Sequence, residues 1–198
     1  MKLLTQTTKM PCKSWSLPSL VTCPTGKMLA INPLSVCHCC YAHSGFYNMP
    51  VVRRAQARRL EFASSKEFVS VMVKELTGTK EGIFRWHDSG DLFSKEYTRK
   101  VFDVILATPQ ILHRLPTREV AFIKEILPIP ENAIVQISGD YLDQLPPSVP
   151  EGCTASMVFT TTPPKGVYIC PATTIRNKCL ECRACWDRNI KCVGYKKH

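Results

Sequence analysis

Four cysteines fall within sixteen residues near the carboxyl end of this chain: Cys170, Cys179, Cys182 and Cys185, spaced C-x8-C-x2-C-x2-C. A C-x2-C step lets two sulfurs on one tight loop face one metal centre, and the second x2 step adds a third. Thiolates are soft ligands that select zinc, Cu(I) or iron–sulfur cores over hard cations. Three thiols in consecutive x2 steps with a distant fourth, and Pro171 directly after Cys170, fit iron–sulfur ligation better than the paired knuckles of a zinc ribbon. Zinc is the alternative. Cys192 is the natural replacement should Cys170 not be a ligand. Residues 170–198 are therefore expected to be a cluster-binding segment, irregular in backbone and fixed by its metal.

The first fifty residues pose the same problem. Pro11, Pro18, Pro24, Pro33 and Pro50 interrupt them, and they carry Cys12, Cys23, Cys37, Cys39 and Cys40. An irregular stretch of that length needs something to fix it. Cys23, Cys37 and Cys40 are the expected three-thiolate set, the last two forming an x2 pair. Cys39 then points elsewhere and is expected to pack, while His38 is a weaker ligand candidate. Cys153 stands alone in a proline-rich stretch and reads as structural. Without a secretory signal, eleven cysteines read as ligands in a reducing cytoplasm, and the odd count excludes complete pairing. No apolar run approaches the roughly eighteen residues of a membrane span.

Between these ends the pattern becomes regular. Residues 48–77 read as helix in two parts. Asn48 and Pro50 begin the first, with Val51, Val52, Ala55, Leu60 and Phe62 inward and Arg53, Arg54, Arg58 and Arg59 on a solvated or anion-binding face. Ser64 or Ser65 caps the second, and Gly78 ends it. Strands are predicted over 83–86, 111–115, 133–137, 157–160 and 167–169. Helices are predicted over 94–107 and, capped by Thr117, to 127. Strands alternating with helices imply parallel crossovers: an α/β fold, either a partial (β/α) barrel or an open, mostly parallel sheet. One domain is expected over 1–198, made of the cysteine-rich segment 1–50, the α/β core 51–169 and the segment 170–198.

Two strands run into Ser-Gly-Asp, at Ser89-Gly90-Asp91 and Ser138-Gly139-Asp140, which suggests similar turns on one rim. Chemistry in parallel α/β folds sits at the carboxyl ends of the strands. His87, Asp88 and Asp91 are accordingly the catalytic candidates, although Ser and Asp also serve as ordinary turn formers. The formal net charge is +10. Two clusters held by four and three thiolates would lower it to roughly +7. A nucleic-acid partner suits that balance.

The combination of Cys23-Pro24, Cys37-x-x-Cys40-Tyr41-Ala42, Phe84-Arg85-Trp86-His87-Asp88-Ser89-Gly90-Asp91 and a terminal Cys-Pro with C-x2-C-x2-C-Trp resembles the phage "gene product 88" family. Four motifs in this order span nearly the whole chain. Cys37 to Ala42, the Ser-Gly-Asp-Leu-Phe stretch and Leu115-Pro116-Thr117-Arg118 are also similar to phage proteins related to radical-SAM enzymes. That likeness implies a partial barrel with a 4Fe–4S cluster at its mouth, an open iron for a small-molecule ligand such as SAM, and the host cytoplasm as its place. The ligand spacing departs from the radical-SAM C-x3-C-x2-C, since thirteen residues separate Cys23 from Cys37. No glycine-rich stretch follows a strand to hold the SAM amino group. The expected function is a two-cluster iron–sulfur protein, whose enzyme form would be a redox or radical-SAM-like enzyme. A cluster- or zinc-stapled module binding nucleic acid or protein without catalysis is the alternative.

Overall fold

The computed structural model describes residues 3–197. In chain order the strands and helices are β1 (Thr5–Gln6), β2 (Lys13–Ser16), α1 (Pro24–Leu29), α2 (Pro50–Ser64), α3 (Phe68–Thr77), β3 (Ile83–Ser89), α4 (Lys95–Leu106), β4 (Leu112–Thr117), α5 (Val120–Lys124), β5 (Ala133–Ser138), β6 (Thr154–Phe159), β7 (Tyr168–Ile169) and β8 (Cys192–Lys196). The strands form one open sheet in the order β1-β2-β3-β4-β5-β6-β8-β7. Only β1 with β2 is antiparallel; every other pairing is parallel. The α/β expectation holds, in its open-sheet form.

Alternation along the strands divides the sheet into two unlike faces. Phe84, Trp86, Leu115, Ala133, Val135 and Ile137 point to one side. They join Phe68, Met72 and Leu76 of α3 and Val101, Val104 and Ile105 of α4 in the main core. α4 is begun by Ser94, whose Oγ accepts from Tyr97 N at 3.1 Å. The intervening residues Ile83, Arg85, Leu112, Arg114 and Gln136 point to the opposite side, which carries no helix from this core and is met instead by the cysteine-rich ends.

Several expectations need correction. The first fifty residues are not a loop throughout: β1 and β2 extend the sheet and α1 follows Cys23. α2 starts at Pro50 behind Met49, because the Asn48 side chain bonds His43 O and Arg53 instead of capping. Arg59 does not share the solvated face; it is buried and its Nε donates to Leu3 O at 2.6 Å. Val51, placed inward by periodicity, is 58% exposed. The helix expected to reach residue 127 shrinks to α5, since Thr117 Oγ1 is engaged at Asp91 and at Glu119 N. β8 was not foreseen, and it inserts between β6 and β7.

That insertion positions the chemistry. Adjacent parallel strands need a crossover, which is usually a helix. Between β7 and β8 the crossover is the irregular segment 170–191, which holds Cys170, Cys179, Cys182 and Cys185. Between β2 and β3 the chain detours through residues 17–49, which hold Cys23, Cys37 and Cys40, before entering α2.

Candidate functional site

The amino-terminal thiols are pinned to the carboxyl rim of the sheet. Thr25 donates through N and Oγ1 to the Glu119 carboxylate, both at 2.9 Å. Val36 N reaches Asp140 O at 3.0 Å and Leu142 N reaches Leu34 O at 3.1 Å. Asp91 N donates to Thr22 O at 3.0 Å. These ties hold Cys23 and Cys37 around Gly26: a Cβ there would stand 3.4 Å from Cys37 Sγ and 4.0 Å from Cys23 Sγ. Cys40 follows within the same tight turn, its N–H reaching Cys37 O at 3.4 Å. Burial pushes the Cys23 thiol up to about 12 and raises those of Cys37 and Cys40. Such thiols are unreactive on their own, and a metal bound to them would deprotonate them.

The carboxyl-terminal thiols share one recess. Cys170, Cys179, Cys182 and Cys185 all line a hollow of about 20 Å³ with Lys178 and Trp186. Tyr168 OH lies 3.7 Å from Cys182 Sγ, and Tyr195 OH 3.1 Å from Cys185 Sγ. Cys179 N bonds Lys9 O at 2.9 Å, joining this segment to the amino-terminal one. Cys192 is elsewhere, buried in β8 against Met157 and Phe159. It is no substitute for Cys170.

Among the described residues no three or more His, Cys, Asp or Glu side chains stand where they could hold one metal ion. A tetrahedral zinc site draws its sulfurs to roughly 3.8 Å from one another, whereas each thiolate of a 4Fe–4S core binds a different iron and stands farther out. Cys170, Cys179, Cys182 and Cys185 share one recess, and Cys23 and Cys37 flank Gly26. Cys39 is exposed and not packed, and the His38 ring bonds Ala30 O at 2.9 Å. Cys12 is fully buried beside Met10 and Trp186, its thiol pushed up to about 11 by burial.

One cleft of about 650 Å³ joins the two sets. Cys23, Cys37 and Cys40 line one part of it and Cys170, Cys179 and Cys185 another, with His87 to Asp91 and Arg85, Arg114 and Arg118 between. The two Ser-Gly-Asp turns do end neighbouring parts of one rim, on β3 and β5. Gly90 is required in its turn. Its φ is +82° and a Cβ would lie 2.5 Å from Thr22 Oγ1.

The three catalytic candidates have different surroundings. His87 has φ +51° at a register break with β2, which turns its ring toward α4, where Nε2 bonds Tyr97 OH at 2.9 Å. Burial lowers that imidazole to about 3, so it is neutral. Asp91 is tied by Leu92 N, Thr117 Oγ1 and Arg118 N at 2.7, 2.6 and 3.0 Å. Burial still raises its carboxyl to about 7. Asp88 is buried, and its Oδ1 has no hydrogen-bond partner. Its backbone carbonyl accepts from the hydroxyls of Tyr41 and Tyr47. Of the three, Asp88 at Oδ1 and His87 at Nδ1 keep a polar atom without a partner, while Asp91 is fully engaged.

Sequence reasoning missed Arg85 and Arg114. The available signal was an arginine beside buried aromatic and aliphatic residues in each of two predicted strands, Arg85 between Phe84 and Trp86 and Arg114 before Leu115.

A sequence model of the family described as Gene product 88 matches residues 2–197. No curated protein and no solved structure matches. The radical-SAM likeness finds no support there.

Proposed function

This chain belongs to the gene product 88 family, and we propose that it is an iron–sulfur protein with two clusters flanking one cleft. Cys170, Cys179, Cys182 and Cys185 hold the first, with every iron bound to protein. Cys23, Cys37 and Cys40 hold the second and leave one iron for a ligand from the cleft. The observation that carries this reading is the meeting of both thiol sets in a single cleft at the strand ends. When bound, such cores supply one-electron transfer and, at an open iron, a coordination position.

The chain's own residues do the rest. The ties from Thr25, Val36 and Leu142 hold the amino-terminal set against the rim. Asp88 is the group that exchanges a proton with a ligand: its Oδ1 is unengaged and burial raises its carboxyl, whereas His87, also free at Nδ1, is held neutral by burial. His87 and Asp91 act as positioning groups that fix β3 to α4 and to β4.

A second reading is favoured by that same engagement of His87 and Asp91. In it the clusters are staples and the protein binds nucleic acid through its basic surface, where Arg53, Arg54 and Arg58 are exposed on α2. Anaerobic protein reduced with dithionite separates the two. An EPR signal that changes on adding SAM or another small molecule supports the redox enzyme with its open iron. A signal indifferent to every small molecule, together with oligonucleotide binding that weakens steeply with salt, supports the staple. Protein without visible thiolate-to-iron absorption contradicts both.

A further inference from the structure

Arg85 and Arg114 are partners in the register between β3 and β4, so their side chains leave adjacent strands side by side on the helix-free face. Like charges placed directly opposite repel. Arg114 is 4% exposed; it donates to Gln136 Oε1 at 2.6 Å and to Tyr195 OH at 2.7 Å, both neutral. Arg85 reaches only Met10 Sδ at 3.3 Å and Tyr41 OH at 3.4 Å. The Nε of each guanidinium is buried without a partner. Among the described residues neither has a carboxylate within 4.0 Å; the one arginine so paired in the cleft is Arg118, with Asp140. Burying a charge is costly unless it is paired and hydrogen-bonded.

We propose that the cleft is a binding site for a small molecule carrying an oxyanion group, a phosphate or a carboxylate, which Arg85 and Arg114 grip between them. Each guanidinium presents a planar fork that matches two oxygens of such a group. Tyr41 and Tyr195 stand at the sides as hydroxyl partners for the rest of the ligand. A polymer backbone is a poor occupant, because Arg114 lies beneath Trp186, 5.8 Å from its ring. The site rests on the two arginines and the cleft, and stands whether or not the thiols hold iron.

The test is calorimetric titration of the full chain with pyrophosphate and, separately, with citrate, run on both metal-loaded and metal-stripped protein. Saturable binding is expected in the metal-loaded form for at least one of them, and the stronger one identifies phosphate or carboxylate as the group. Arg85→Gln and Arg114→Gln each weaken it about tenfold or more, as loss of a charge-assisted pair requires. Arg85→Lys, which keeps charge and lacks the fork, recovers part of the affinity. Lys74→Gln with Arg99→Gln, exposed on α3 and α4, leaves it unchanged. Should Arg114→Gln fail to fold, the Arg85 pair of variants decides alone. The proposal is overturned if neither anion binds metal-loaded protein, or if the Lys74/Arg99 control loses as much affinity as the cleft variants. Equal binding by Arg85→Gln and the parent chain also overturns it.

Discussion

The two faces of the sheet are held by different means. On the helix side Trp86, Phe84, Leu115 and Val135 are almost wholly buried, and the two histidines there are kept neutral. On the other side the strands present Arg85, Arg114 and Gln136 to the irregular segments 17–49 and 170–191. Those segments have little regular structure: α1, short turns of 3-10 helix, and hydrogen bonds to the rim. Apolar burial holds the first face. On the proposed reading a metal crosslink holds the second, and the thiol sets lie at the places where it would act.

The sharpest way to break that contrast is Cys182→Ala. Ligation energy is folding energy in such segments, on the order of 10 kcal/mol for a structural metal site. The variant should lose roughly half its iron, and amide exchange should show residues 170–191 unprotected while β3, β4 and α4 remain protected. Uniform protection with full iron content would contradict the ligand assignment. Trp86→Ala should do the reverse. It removes a buried indole and should cost about 3–5 kcal/mol in denaturant unfolding, with iron per folded chain unchanged.

A third expectation concerns pH on the helix face. His113 Nδ1 accepts from Trp86 Nε1 at 3.2 Å and Nε2 bonds Thr108 Oγ1 at 2.8 Å, so the fold uses the neutral ring. Burial lowers its pKa to about 4. The unfolded chain takes up a proton near pH 6.5, while the folded one waits until about 4. The contribution is therefore complete above pH 6.5 and is lost as pH falls through that window. By pH 5 about 2 kcal/mol has been lost, read as the difference in pH slope between the parent chain and His113→Asn. Parallel slopes would refute it. The smallest effect belongs to Gly26→Ala. Its methyl would sit 3.0 Å from Cys23 Cβ and 3.4 Å from Cys37 Sγ. Stability should change by about 1 kcal/mol or less, because alanine's better helix propensity offsets the crowding, while iron in the amino-terminal set falls. Unchanged iron would mean that the two sulfurs do not share a ligand.

The helix face was legible in the sequence because its signal is local. The apolar stripe of α4 and the alternation through β3, β4 and β5 repeat within a few residues. The cysteine spacing was legible for a related reason, since x2 steps fix a local loop. Burial of Arg59 was not legible, because its partner is a carbonyl at Leu3. Nor was β8, whose pairing with β6 depends on where the chain returns after residue 191. The pairing of Arg85 with Arg114 needed the register of two strands. Neither strand carries that register in its own pattern.

The central claim is that sulfur-held iron fastens the helix-free face. The direct measurement is the iron, acid-labile sulfide and zinc content of the full chain purified without oxygen. Two clusters predict roughly eight iron and eight sulfide per chain with little zinc; a colourless protein with stoichiometric zinc, or with no metal at all, contradicts the account.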